Sequence, residues 1–107
     1  MILFKPEHVE LVLAGRKTQT RRRWKRRRML PGSTHQARTR LFGEPFAMLN
    51  VLRVWQEPIG DVSDDDARAE GYLKRDDFLA AFTRINGDVP LDEVVWCVEF
   101  SASPVGE

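Results

Sequence analysis

Two stretches constrain this fold more than anything else in the chain: "FAMLNVLRVW" (residues 46–55) and "VVWCVEFS" (residues 94–101). Both are rich in β-branched and aromatic side chains, and both are apolar at odd and even positions alike. A strand exposed on one face alternates apolar with polar residues. A run that does not alternate belongs to a strand covered on both sides, so residues 46–55 are expected to form a central strand and residues 94–101 a buried closing one. Neither is long enough to cross a bilayer.

The segments around them supply the other elements. Residues 34–41 read as a strand joined to 46–55 by "FGEP", a plausible hairpin. "ILF" is a short apolar entry. "PEHVELVLAG" has Pro6 where a first helical turn tolerates proline, Val9, Val12 and Leu13 at helical spacing, and Gly15 as the stop. Beyond Gly15, the two threonines of "KTQTR" favour an extended segment. Ser63 is a good N-cap for "DDDARAEGY", whose three aspartates suit a helix N-terminus. "DDFLAAFTRING" predicts a second such helix, with Phe78, Phe82 and Ile85 on one face and Gly87 ending it. With 107 residues and no repeat or low-complexity linker, one domain is expected over residues 1–107, of α+β class: a small mixed or antiparallel sheet or barrel with two to three helices.

Charge is divided unevenly. Residues 1–55 carry thirteen cations against three carboxylates, a net +10; residues 56–107 carry four against thirteen, a net −9. The basic half predicts an anionic partner, while the acidic half suppresses nonspecific association or pairs internally. Nine cations fall between Arg16 and Arg28, and seven of the eight residues in "RRRWKRRR" are Arg or Lys. Arg binds phosphate through a planar fork, and Trp24 offers a face on which a base can stack. Arg16, Arg21, Arg22, Arg23, Trp24, Lys25 and Arg26 are therefore candidate contacts for RNA or a nucleotide, with Arg38 and Arg40 extending the patch from a neighbouring strand. Other readings stay open: a solvated loop, pairing with the acidic half, a nuclear address, or Trp24 as a core anchor.

"GRKTQTRR" is similar to the signature of the ASCH domain, a branch of the PUA-like superfamily, at Gly15, Lys17, Thr20 and Arg22. "ARAEGY" resembles that family's second landmark at Glu70 and Gly71, and "WCVEF" its closing strand. The resemblance implies a PUA-like β-barrel with helices closing a cleft, and a role in handling RNA or a modified nucleoside. One branch of that family removes the acetyl group from N4-acetylcytidine with Lys, Thr and Glu, which fall here on Lys17, Thr20 and Glu70. Many ASCH domains have Glu where this chain has Thr20, so the threonine leans toward the hydrolase branch. Two features depart from that branch: the dense basic run after Arg22, and Gly32-Ser33 where Gly-Asp is common. Ribonuclease activity, also associated with some ASCH relatives, and a protein-interaction module are the remaining alternatives.

The residues themselves set a geometric condition. In a strand, Thr18, Thr20 and Arg22 share one face while Lys17, Gln19 and Arg21 share the other. Lys17 can join Thr20 only if the strand bulges or begins after Lys17, which Gly15 permits. Lys17 among so many cations is expected to have a lowered pKa, so that the neutral amine can take the Thr20 proton. Glu70 would then serve as an acid toward a leaving amine; as a lone helix-end carboxylate it would simply pair with a cation.

No cofactor is expected, because the chain has neither a phosphate-cradling nor a dinucleotide glycine loop. No metal is expected either, since His8 and His35 lack ligand spacing. Cys97, the single cysteine, reads as a small core residue, and Trp55 and Trp96 as core. One thiol without a partner and an N-terminus broken by charge and proline predict a reducing, cytoplasmic setting, with no membrane partner.

Overall fold

The computed structural model describes residues 1–105. Five strands form one sheet in the order β1-β3-β4-β5-β2. They are β1 (Ile2–Leu3), β2 (Gln19–Arg22), β3 (Thr34–Arg38), β4 (Ala47–Pro58) and β5 (Val94–Ser103). β1 runs parallel to β3 and every other pairing is antiparallel. The helices are α1 (Val9–Leu13), entered through a 3-10 turn at Pro6–His8, then α2 (Asp64–Ala69) and α3 (Arg75–Asn86). The α+β class, the hairpin and the helix positions agree with expectation. The sheet is a curled half-barrel: between β1 and β2 the closing contact is a side chain, Arg22 Nη2 donating to the Leu3 carbonyl at 2.7 Å.

Coverage of both faces explains the missing alternation. Along β5, Val98 and Phe100 point into a core with Phe4, Val12, Leu49 and Val51. Val95 and Cys97 point the other way, beneath Ile59, Val62, Ala67, Phe78 and Phe82 of the helical layer. β4 serves both cores by a different device. Its register against β5 slips between Val51 and Arg53, leaving Leu52 unpaired and exposed. The bulge switches the inward parity, so Leu49 and Val51 serve one core and Trp55 packs against the other.

Ser63 caps α2 as expected, its hydroxyl accepting from the Asp66 amide at 3.0 Å. Two glycines carry backbone that other residues would strain: Gly15 (φ 73°) ends α1, and Gly71 (φ 101°) turns the chain after α2. No helix among the described residues is long and apolar enough to cross a membrane.

Cys97 makes a testable point about the second core. Burial pushes its thiol up to about 12 from 9.0, with Arg21 pulling the other way and Glu57 and Glu70 adding to the rise. Between those values the unfolded chain has released a proton that the folded chain keeps, so stability must fall as pH rises through that window. In urea unfolding, the stability gap between the native protein and Cys97→Ala is expected to narrow from pH 8.5 to pH 10.5. An unchanged gap would mean that the thiol ionises as easily inside as outside.

Candidate functional site

Gly15 sets the site's geometry. The turn it makes brings the Arg16 and Lys17 amides back onto the Leu11 carbonyl, at 2.9 and 3.0 Å. Thr18 then donates to the Ala69 carbonyl of α2 at 2.7 Å, and strand pairing begins only at Gln19. Lys17 thus precedes the strand and escapes its alternation. Its side chain turns under the C-terminal end of α2, where Nζ donates to Glu70 Oε1 at 2.8 Å and to the Glu70 carbonyl at 2.9 Å. An ammonium beside the last carbonyls of a helix is favourably placed. Both side chains are 3% exposed.

Lys17, Thr20 and Glu70 line one cavity of about 340 Å³. Four aromatic rings, Phe4, Tyr72, Phe78 and Phe82, share its lining with Ile85, His8 and the cations Lys5, Arg21, Arg22 and Arg23. Ile85 is half exposed for this reason: the α3 face predicted from spacing is apolar throughout, but its last member borders the cavity. Thr20 Oγ1 accepts from Arg22 Nε at 2.9 Å, while Arg22 lies over the Phe4 ring. Tyr72 Oη and His8 Nε2 are 3.2 Å apart.

Burial holds the Lys17 pKa below the usual lysine range; Arg22 and Arg21 push the same way, and Glu70 opposes them. The direction is the expected one. Its leading cause is loss of water rather than the neighbouring cations. Burial and then Lys17 also lower the pKa of His8, and burial followed by Glu70 raises that of Tyr72.

The basic segment divides into parts with different surroundings. Arg21 has a fully buried side chain and lies beneath the surface, where its Nη1 donates to Glu70 Oε2 at 3.0 Å and to Gln19 Oε1 at 2.9 Å. Arg23 forks onto Glu93, with Nε donating at 2.6 Å and Nη2 at 2.9 Å. Trp24 packs partly against the first core, and Arg28 lies over its ring at 5.8 Å. Lys25, Arg26, Arg27 and Arg28 are exposed, with no carboxylate partner among the described residues. Arg23, Trp24, Lys25, Arg26 and Arg28 line a shallow groove. Arg16 is exposed on the turn after α1.

The strand that leads to Arg38 and Arg40 is not the neighbour of β2 that the sequence predicts. β4 and β5 stand between β3 and β2 in the sheet, and Arg38 is engaged by Gly43 and Gln36. The curl of the sheet nevertheless brings Thr39, between Arg38 and Arg40, to the cavity that Arg21, Arg22 and Arg23 also line. Sequence reasoning passed over His8, Tyr72 and the acids that hold Arg21. No group of His, Cys, Asp and Glu among the described residues is arranged to hold a metal ion.

No protein-family model matches this sequence, and no curated protein matches it significantly. Solved structures do. A protein from Enterococcus faecalis, of the family DUF984, superposes with a TM-score of 0.76 at 20% identity, covering 92% of this chain and 68% of the other. An ASCH domain from Lactobacillus crispatus gives 0.66 at 17% identity, with 88% and 69% covered. The fold is that of an ASCH domain. A third ASCH protein, from Zymomonas mobilis, gives 0.63 at 17% identity, with 92% of this chain and 64% of that one covered. This chain therefore spans about two thirds of the length of these ASCH-fold structures. Within the shared fold, the two motifs that resemble ASCH signatures lie together here: Lys17 and Thr20 from one, Glu70 and Gly71 from the other.

Proposed function

We propose that the cavity binds a single nucleobase or nucleoside, free or turned out of an RNA strand whose phosphates contact the exposed cations Lys25–Arg28. The observation that carries this reading is the buried Lys17–Glu70 pair in a cavity that four aromatic rings and several cations also line. The pair presents fixed polar atoms to the edge of a base, and the rings offer faces for stacking. A volume of about 340 Å³ lies at the small end of small-molecule pockets, which favours one nucleoside over a longer segment.

The two parts of the surface predict different salt responses. RNA bound through four cations should lose affinity with log[salt] at a slope of roughly −3, because each phosphate contact on a single strand contributes about −0.7. A free nucleoside, which reaches only the cavity, should be almost insensitive to salt. Fluorescence titration of short RNA and of cytidine at several salt concentrations tests this. Equal salt responses, or binding of neither ligand at low ionic strength, would end the proposal.

A second reading is favoured by the state of Thr20. Its oxygen accepts from Arg22, which leaves its proton free to donate, and Lys17, held toward the neutral form by burial, lines the same cavity. Hydrolysis of an acyl amide on a pyrimidine would then begin with neutral Lys17 taking the Thr20 proton. The alkoxide adds to the acyl carbonyl. The proton passes from Lys17 through Glu70 to the leaving amine as the C–N bond breaks, and water hydrolyses the acyl-threonine ester. Release of cytidine from N4-acetylcytidine is the direct assay.

A further inference from the structure

We infer that Arg21, which borders the cavity itself, is a positioning residue: it clamps the second carboxylate oxygen of Glu70, so that Glu70 presents its first oxygen to Lys17. The inference deepens the proposed function, because it rests on that pair being the working part of the site. Arg21 stands one residue from Arg22 in an unbroken run of cations, yet on the opposite face of β2. Its guanidinium lies between the rings of Trp55 and Phe78, at 5.9 and 6.0 Å.

Four partners fix it. Nη1 serves Glu70 Oε2 and Gln19 Oε1; Nη2 faces Asp66 Oδ2 at 3.3 Å and Glu57 Oε1 at 3.4 Å. Glu57 is anchored in turn by Trp55 Nε1, which donates to it at 2.6 Å. A line of charge and hydrogen bonds thus runs Trp55–Glu57–Arg21–Glu70–Lys17, from β4 across β2 to the end of α2. Only a planar fork reaches several acceptors at once in this way. The arrangement is a poor device for stability alone, since buried ionic networks often add less than apolar packing, and Arg21 Nε is left without a partner.

The consequence is felt at Lys17. Glu70 faces it from α2 and favours its charged form; Arg21 and Arg22 from β2 disfavour it, and His8 stands on the side of α1. Asp66 and Glu57 lie behind Arg21, and Tyr72 and Cys97 complete the titratable surroundings of the network. Removing Arg21 takes away one like charge and frees the second Glu70 oxygen to turn toward Lys17. Both changes raise the proton affinity of Lys17.

Titration of the full chain, ¹³C-labelled at lysine and followed by NMR at the side-chain ε-carbon, reads this without any ligand. The Lys17 midpoint is expected to move up by roughly one pH unit in Arg21→Gln. In Arg21→Lys, which keeps the charge but loses the fork, it should lie between that value and the native one. Glu57→Gln, which leaves more of the guanidinium's charge for Glu70, should shift it downward; this variant decides the matter if Arg21→Gln does not fold. Folded variants whose Lys17 midpoint stays where it is, or moves the same way in Arg21→Gln and Glu57→Gln, would overturn the inference. Cytidine titrated in parallel should bind Arg21→Gln about tenfold more weakly than the native protein. If the native protein binds neither cytidine nor RNA at low ionic strength, the proposed function fails, while the Lys17 titration still decides the role of Arg21.

Discussion

Replacing Glu70 with glutamine is expected to destabilise the protein by about 3–5 kcal/mol, the usual penalty for stripping a buried charge of its partner. Glu70 is the shared anion of two buried cations: Lys17 holds one oxygen and Arg21 the other. An amide offers one acceptor where the carboxylate offered two, and turns an N–H donor toward the remaining cation. Lys17→Met should be milder. It leaves Glu70 with Arg21, and Lys17 is already inclined by burial to give up its charge. Urea unfolding at pH 7 should therefore rank Glu70→Gln as more damaging than Lys17→Met. The reverse order, or a loss under about 1 kcal/mol for Glu70→Gln, would show that water reaches the pair and screens it.

That pair also shows how far the sequence could be read. Local signals were strong wherever one residue decides a boundary: Gly15 and Gly87 after helices, Ser63 before one, the hairpin between β3 and β4. The central and closing strands were legible because apolar residues at both parities demand a cover on both faces. The single-residue bulge that leaves Leu52 exposed was not, since nothing local marks the register slip. Lys17, Thr20 and Glu70 were placed together through their resemblance to ASCH motifs, and Gly15 supplied the physical means of bringing the first two together. The basic run was the least legible part. As sequence it is uniform; in the fold, Arg21 finds Glu57, Asp66 and Glu70 at separations of 36 to 49 residues, and Arg23 finds Glu93 seventy residues away. Only the two-residue alternation of a strand hinted that Arg21 and Arg22 must part company. The same long-range pairing separates β3 from β2 in the sheet, because β2 joins β5 rather than the hairpin that follows it in the chain.

Thr20 separates the two functional readings most sharply, because its hydroxyl matters little to the fold and decisively to one chemistry. Its methyl and hydroxyl are buried, but among the described residues Oγ1 has a single hydrogen-bond partner, Arg22, whose Nη2 remains tied to Leu3. Thr20→Ala should therefore cost about 2 kcal/mol, roughly half from one hydrogen bond and half from one buried methyl. If the hydroxyl is the nucleophile, the same substitution should lower turnover of N4-acetylcytidine by roughly 10³-fold or more, in the range seen when a covalent nucleophile is deleted. Thr20→Ser keeps the oxygen and should retain most of the activity. Cytidine affinity should move by no more than about threefold in either variant, since the aromatic rings and the Lys17–Glu70 pair are untouched. Turnover surviving in Thr20→Ala would remove the covalent step and leave water as the attacking group. No turnover in the native protein, with cytidine still bound, would leave Lys17 and Glu70 as readers of a base rather than agents acting on it.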